Sequence, residues 1–180
     1  MTERGVASAH RLVAFINTRH CPDGDDVLAD ERGPVWLADW LGNGDARIEP
    51  ADLARLRDLR EGLRQLAAAN NGEKPDTDVV AESAAVLESV PLRMVFGDQD
   101  QPPGLVAIGS DVDEQSIAAV AQCYFTVRAA GVWPRIKSCA AADCRWAYLD
   151  VSRNGSRRWC DMANCGNRAK NRAWRSRSHR

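Results

Sequence analysis

Four of the six cysteines lie within 27 residues in the C-terminal part of the 180-residue sequence. They form two pairs of identical spacing, Cys139-x4-Cys144 and Cys160-x4-Cys165, with fifteen residues between the pairs. Each pair can point two thiolates at one ion, and the chain between the pairs is long enough to bring them together. The spacing therefore predicts a tetrahedral site in which four thiolates bind one Zn²⁺ ion. Because such a site has no open position for water, we expect the zinc to be structural.

Two other interpretations of the cysteines stay open. Paired disulfides would suit a secreted protein, but the first eleven residues lack the apolar stretch of a secretory signal, which predicts a cytoplasmic protein with reduced thiols. Buried cysteines without a ligand are common singly, whereas two regular pairs in a polar segment are hard to explain in that way. Cys21 and Cys123 stand apart from the pairs. We expect an incidental thiol at Cys21 and a helix-packing side chain at Cys123.

Charge divides the chain near the same place. Residues 135–180 hold twelve Lys or Arg and three Asp, a formal charge of +9, whereas residues 1–134 hold twelve basic and twenty-two acidic residues, a formal charge of −10. We therefore predict an acidic helical domain over residues 1–130, here called the body, and a basic zinc module over residues 135–180, here called the finger. The finger has few large aliphatic residues, and metal binding worth roughly 10–16 kcal/mol can replace the missing core.

Apolar periodicity indicates that the body is mostly helical. Apolar residues recur every three or four positions in five segments, near residues 12–16, 27–41, 51–70, 79–90 and 114–130. The segment 51–70 is the clearest, and its polar side is predicted to face solvent with Arg55, Arg57, Asp58, Glu61 and Arg64. Two short apolar runs, 92–96 and 105–108, flank a polar loop and predict a β-hairpin. No apolar run is long enough for a membrane span.

The finger is predicted to contain two strands and a helix. Residues 146–150 and 157–159 are the candidate strands, and Asn154-Gly155 between them is a strong turn signal. A helix is expected after Cys165. The fold class is therefore mostly α with a small β-hairpin (α+β): a multihelical N-terminal domain followed by a small, treble-clef-like zinc finger with four cysteine ligands.

Arginine clusters around the cysteines. Arg168, Arg172 and Arg175 are spaced i, i+4 and i+7, which places three guanidinium groups along one helix face. Guanidinium groups suit phosphate oxygens and guanine edges, and such a row can follow a phosphate backbone. The predicted nucleic-acid-binding residues are Arg153, Arg157, Arg158, Asn167, Arg168, Lys170, Arg172 and Arg175. The alternative is a solvated basic tail. Trp146 and Trp159 could pack on the zinc site or stack on bases, with packing favoured.

The finger resembles a known family. The runs Cys139 to Trp146, Leu149 to Asn154, Ser156 to Met162 and Cys165-Gly166-Asn167-Arg168 are similar to the CGNR zinc-finger family. Asn17-Thr18-Arg19, Trp40-Leu41 and the leucine-rich segment 53–66 resemble the ABATE domain that commonly precedes this finger. The resemblance implies a bacterial, stress-related transcription regulator with four cysteine zinc ligands and a DNA-binding finger.

Three classes of function follow from these patterns. The first is a DNA-binding regulator whose body binds a small-molecule effector or a second subunit, which would make the protein a homodimer. Trp36 and Trp40 could line an effector pocket, although core packing is favoured. The second is an RNA-binding finger that uses the same arginines. The third is an enzyme with its site in the body, but the sequence offers only three histidines and no recognised catalytic motif, so no catalytic residue is predicted.

Overall fold

The structure is a computed structural model that describes residues 2–21, 23–42, 48–49, 52–97 and 103–178. Within these residues there are six α-helices and two antiparallel β-hairpins, which confirms the predicted fold class. The helices are α1 (Glu3–Ile16), α2 (Gly33–Leu41), α3 (Leu53–Ala69), α4 (Thr77–Glu88), α5 (Val112–Ala129) and α6 (Asn167–Ser178). The strands are β1 (Leu92–Val95), β2 (Gly104–Ala107), β3 (Ile136–Ser138) and β4 (Ala147–Leu149). Short 3-10 helices occupy Val27–Ala29 and Trp133–Arg135.

Helix α3 lies at the centre of the body. Its predicted apolar stripe is buried at Leu53, Leu56, Leu59 and Leu63, and α3 contacts α1, α4 and α5. At Gly62 an added Cβ would lie 2.1 Å from the Cβ of Ser83 on α4, so only glycine allows the two helices to approach so closely. The core of the body is therefore organised around the helix that the leucine pattern marked most clearly.

The helix ends follow local signals in the sequence. The carboxylate of Asp76 accepts from the amides of Asp78 and Val79 and begins α4. Pro34 lies in the first turn of α2, where its missing N–H leaves no helical hydrogen bond unmade. Gly131 follows Ala130, the C-terminal cap of α5, and has a φ of +66°, a left-handed conformation that glycine adopts readily at helix ends.

The first hairpin confirms its prediction. Strand β1 pairs with β2 in antiparallel register, with Leu92 opposite Ala107 and Val95 opposite Gly104. The hairpin packs against α5. Residues 98–102 of the predicted connecting loop lie outside the described residues.

The polar side of α3 does not simply face solvent: the prediction is wrong for Arg64, which is buried, while Arg55, Arg57 and Glu61 are partly buried. Only 3% of the Arg64 side chain is exposed, and its guanidinium donates to the carbonyl oxygen of Ile16 over 2.5 Å. Arg55 pairs with Asp113, Arg57 donates to the carbonyl of Leu28, and of the five only Asp58 is exposed. A helix that packs on several neighbours has no wholly solvated side, and its arginines are buried only because each finds acceptors.

A second buried arginine on α3 carries no signal in the sequence. Only 2% of the Arg60 side chain is exposed, and its two terminal nitrogens bind the two carboxylate oxygens of Asp26 over 2.6 and 2.8 Å. Burial alone would lower the pKa of Arg60, but the hydrogen bonds to Asp26 and the nearby Glu61 raise it overall. This pair fastens the loop before Val27–Ala29 to α3.

The second hairpin differs from the prediction. Strand β4 forms as expected, but its partner is β3, with Ile136 opposite Leu149, and residues 157–159 form no strand. The turn at Ser152–Gly155 does form. The chain beyond it is diverted because the amides of Ser152 and Arg157 both donate to the Asp150 carboxylate, over 3.0 and 2.9 Å. The segment after β4 therefore wraps around a carboxylate instead of pairing with the strand.

Side chains alternate in direction along β3 and β4, so this hairpin has two different faces. Ile136, Ala147 and Leu149 belong to the apolar core of the body. Tyr148 lies on the other face and packs with the cysteines.

None of the helices in the described ranges is both long and apolar enough to cross a membrane.

Candidate metal centre and nucleic-acid interface

The first cysteine pair lies on the loop that connects β3 to β4. Cys139 directly follows β3, and its amide donates to the carbonyl of Trp146 over 2.9 Å. The amide of Cys144 closes a turn on the carbonyl of Ala141 over 2.9 Å, and Arg145 then adopts a φ of 56°. A left-handed arginine is uncommon, and here it reverses the chain directly after Cys144. The result is a tight knuckle that brings both thiols to one side.

The second pair lies at a single π-helical turn, Met162–Gly166, that leads into α6: Cys160 precedes the turn and Cys165 lies within it. The carboxylate of Asp161 accepts from the amide of Ala163 over 2.7 Å and starts this turn directly after Cys160. An added Cβ at Gly166 would lie 2.5 Å from the sulfur of Met162, a flexible side chain that is 46% exposed and free to move aside.

All four Sγ atoms lie within 4.8 Å of one another. The sulfur of Cys160 is 3.6 Å from that of Cys144 and 3.8 Å from that of Cys165. A tetrahedral zinc site with Zn–S distances near 2.3 Å requires sulfurs about 3.8 Å apart. The four thiols therefore fit one zinc ion, and no other cluster of three or more metal-ligating side chains occurs in the described part of the chain.

The protonation chemistry of the cluster also suits a cation. Burial raises the pKa of the Cys144 thiol to about 11 and raises that of Cys160, because a charged thiolate is poorly solvated there. Burial also acts to raise the pKa of Cys165, but hydrogen bonds from the other three cysteines and from Arg168 outweigh it and lower the pKa overall. Four thiols packed this closely, three of them buried, become thiolates together only when a cation compensates their charge.

A buried ion pair stabilises the backbone next to the cysteine knuckles. The Nζ of Lys137 on β3 lies 2.8 Å from the Asp150 carboxylate, whose side chain is 0% exposed. Burial raises the pKa of Asp150, but the hydrogen bonds from Lys137, Ser152 and the Arg157 amide outweigh this and lower the pKa to about 2. Lys137 also donates to the carbonyls of Gly155 and Arg157. These contacts fix the loop that leads to Cys160.

Every residue predicted to bind nucleic acid is exposed. Arg153 lies in the turn after β4, and Arg157 and Arg158 lie in the loop that leads to Cys160. The other five, Asn167, Arg168, Lys170, Arg172 and Arg175, lie on α6. Because α6 starts directly after Cys165, the cysteine cluster fixes the end of the helix that carries most of the basic residues.

Two of the α6 arginines share an acidic partner that sequence reasoning missed. Arg168 lies 3.7 Å and Arg172 lies 3.3 Å from the carboxylate of Asp143, which belongs to the first knuckle. The hydrogen bond from Arg172 lowers the pKa of Asp143 in spite of a smaller desolvation effect. Arg168 also donates to the sulfur of Cys165 over 3.2 Å. Asp143 therefore joins the knuckle to the basic helix and reduces the local positive charge.

Other predicted contacts are engaged within the chain. Arg157 donates to the carbonyls of Trp159 and Cys160, and its guanidinium carbon lies 4.9 Å from the centre of the Tyr148 ring. The side-chain amide of Asn167 donates to the carbonyl of Ala163 over 2.9 Å. These two residues stabilise the finger itself, whichever further role they have.

The aromatic side chains divide between core and surface. Trp146 and Trp159 are partly buried against the cysteine cluster, in line with the favoured packing interpretation. Trp174 on α6 is 64% exposed. In the body, Trp40 packs 5.8 Å from Phe15, and Trp36 stacks on Trp40 at 6.2 Å, so both support the core as favoured. Cys123 is buried in α5, as expected, and Cys21 is half-buried outside the cluster.

The fold and the cysteine cluster define a helical protein with a four-cysteine zinc finger. Comparison of the chain with known families agrees: residues 135–178 match the CGNR zinc finger, and residues 9–142 match the ABATE family, described as "putative stress-induced transcription regulator". The second match covers more than half of the chain, so the protein belongs to the ABATE family and carries a CGNR zinc finger. No curated protein matches the chain. The two matched regions overlap over residues 135–142, which contain β3 and Cys139.

Proposed function

We propose that the protein is a DNA-binding transcription regulator whose finger is ordered by one structural zinc ion bound to Cys139, Cys144, Cys160 and Cys165. The observation that carries this proposal is the position of the four sulfurs, within 4.8 Å of one another, directly before a helix with exposed arginines. The description of the ABATE family as "putative stress-induced transcription regulator" supports this proposal. Reduced thiols are required for zinc binding, so we also propose a cytoplasmic location.

The zinc contributes stability and no chemistry of its own. Four thiolate ligands leave no coordination position for a substrate or for water. The cysteine cluster includes only a few buried side chains besides the ligands, so metal binding supplies the free energy that a larger apolar core would otherwise supply. The finger is therefore proposed to be folded and able to bind nucleic acid only while it holds the ion.

The basic residues supply the nucleic-acid contacts. Arg168, Arg172 and Arg175 lie along α6, while Arg153 and Arg158 lie in the segment between β4 and Cys160. Guanidinium groups bind phosphate oxygens in a bidentate manner, and each contact releases counterions from the DNA. An exposed helix with this spacing of arginines suits a DNA groove or backbone, and we favour duplex DNA because of this description of the ABATE family.

The test is the salt dependence of binding to random-sequence duplex DNA. Replacing both Arg168 and Arg172 with Ala is expected to weaken binding and to lower the slope of log affinity against log salt by about one for each lost phosphate contact. The matched control replaces Arg93 and Arg128 with Ala, since both are exposed arginines of the body and the change in net charge is the same. An unchanged slope in the finger variant would contradict the proposed contacts.

RNA binding is the main alternative, and the same arginines would serve it. Competition between duplex DNA and structured RNA at one fixed salt concentration separates the two, because the proposal requires the DNA to compete more strongly. A selection from random-sequence DNA would then give the target site. Homodimer formation stays a prediction from the sequence.

A second proposal, independent of the finger, concerns an effector. A partly open cavity of about 160 Å³ lies between α3, α4 and α5, and its lining is almost entirely apolar. An apolar cavity of roughly 150 Å³ holds a benzene-sized molecule. We therefore propose that a small apolar or aromatic molecule binds there. Benzene should raise the thermal unfolding midpoint of the protein, and Ala84→Leu, at the exposed edge of the cavity, should abolish the rise. An unchanged midpoint in benzene would contradict the site.

A further inference from the structure

Asn71 lies just beyond the C-terminal end of α3, in the body, and is only 7% exposed. Its side-chain nitrogen donates to the carbonyl oxygens of Ser138 and Arg158, over 2.8 Å in each case. Ser138 directly precedes Cys139, and Arg158 lies two residues before Cys160. One buried amide of the body therefore joins the two backbone segments that carry the first cysteine of each pair.

Neighbouring residues of the body hold the same knuckle. The guanidinium of Arg64 donates to the carbonyl of Arg145 over 2.9 Å, directly after Cys144. The hydroxyl of Ser138 donates to the same carbonyl over 3.0 Å. The carboxylate of Glu73 pairs with the guanidinium of Arg145. The C-terminal end of α3 and the turn after it thus contact the backbone beside the knuckle that contains the left-handed residue.

Asn70 provides a chemically matched comparison. Its side-chain nitrogen also donates to two carbonyls, those of Trp133 and Ile136, over 2.8 and 2.9 Å. These carbonyls lie on the chain that enters β3, and neither is adjacent to a cysteine. The two neighbouring asparagines therefore make the same number of hydrogen bonds to backbone, but only Asn71 links the two cysteine segments.

We propose that Asn71 is a positioning residue for the zinc ion. Its side chain sets the separation of the two cysteine pairs as soon as the body folds. This inference rests on the zinc assignment of the proposed function. A site whose ligands are already held together loses less conformational freedom on binding, so its affinity is higher. Polar groups that orient metal ligands typically change metal affinity by about 10- to 100-fold when they are removed. The folded body thereby sets the zinc affinity of the finger.

The experiment compares Asn71→Ala with Asn70→Ala in the full chain. Zn²⁺ affinity is measured at pH 7 by competition with a chromogenic chelator, at a temperature where circular dichroism shows both variants folded. Both substitutions delete two hydrogen bonds to backbone, so both should lower the thermal unfolding midpoint. Asn71→Ala alone should weaken zinc binding, by roughly 10- to 100-fold.

Each outcome has a defined meaning. A wild-type chain that binds no zinc would overturn the zinc assignment itself. A wild-type chain that binds one zinc ion, with Asn71→Ala binding it equally tightly or Asn70→Ala weakened to the same extent, would overturn only the positioning role. If Asn71→Ala does not fold, Asn71→Ser is used, because its hydroxyl keeps one donor. The serine variant should then show an intermediate loss of affinity, and wild-type affinity would overturn the proposal.

Discussion

The body and the finger are stabilised in different ways. The body has a large apolar core to which helices α1, α3 and α5 contribute, and α3 also carries two buried arginines. The finger has a small cluster in which three of the five buried members are cysteines, supported by the Lys137–Asp150 pair. Burial of apolar side chains stabilises a fold without a strict requirement on their orientation, whereas thiolate ligands and a buried ion pair stabilise it only in a defined geometry. We therefore expect stability to reside mainly in the body and the finger to depend on it.

The first way to test this contrast removes a proposed zinc ligand. Cys160→Ser should abolish zinc binding and cause residues 160–178 to lose hydrogen-exchange protection, because metal binding worth about 10–16 kcal/mol is lost. Helices α1 and α3 should keep their protection. Metal analysis and hydrogen exchange provide the measurements, and Cys21→Ser, outside the cluster, is the control. Retention of one zinc ion per chain by Cys160→Ser would remove Cys160 from the ligand set.

The second test breaks the ion pair of the finger. Asp150→Asn leaves the buried Lys137 without its charged partner, which typically costs about 3–5 kcal/mol. Urea unfolding should show this loss in signals from the finger, such as the fluorescence of Trp146 and Trp159 made visible by replacing the tryptophans of the body. Asp58→Asn makes the same chemical change at an exposed position of α3 and should alter stability little. Equal stability of the two variants would show that the pair is dispensable.

The third test weakens the body alone. Leu56→Ala creates a cavity beneath the centre of α3 and should cost roughly 2–5 kcal/mol, while the chain still binds one zinc ion. Because the finger depends on the body, release of zinc in urea should shift to lower denaturant concentration together with the loss of helicity. If Leu56→Ala releases zinc at the same urea concentration as the wild type, the finger unfolds independently of the body, and the two regions do not share their stability.

The smallest expected effect concerns charge within the finger. Asp143→Asn removes the carboxylate that Arg168 and Arg172 share and should increase DNA affinity about two- to threefold, the usual range for exposed ion pairs. Asp58→Asn changes the net charge equally in the body and serves again as the control. If the two variants bind DNA equally well, net charge explains the effect and the contact with Asp143 does not.

Sequence patterns predicted the helices and the cysteine centre because both rest on short-range spacing. The leucines of α3 had to lie on one face, and two pairs of cysteines at identical spacing had few alternatives. The partner of β4 was mispredicted because Asn154-Gly155 is a strong local turn signal, whereas the Asp150 carboxylate that redirects the chain acts through three-dimensional contacts. Hydrogen bonds from Asn71 to residues 67 and 87 positions away leave no periodic trace in the sequence.

One face of the β3–β4 hairpin packs in the apolar core of the body and the other packs against the cysteine cluster. The zinc module therefore cannot simply be moved into another protein. Excised on its own, the module would present Ile136, Ala147 and Leu149 to water along one side of a two-stranded ribbon with open edges. Such a fragment would tend to self-associate, and the carbonyls of its cysteine loops would lose the hydrogen-bond donors supplied by Arg64 on α3 and by Asn71 just beyond it. Transplanting the module into another protein would therefore require replacing that side with polar residues or bringing the α3 surface along.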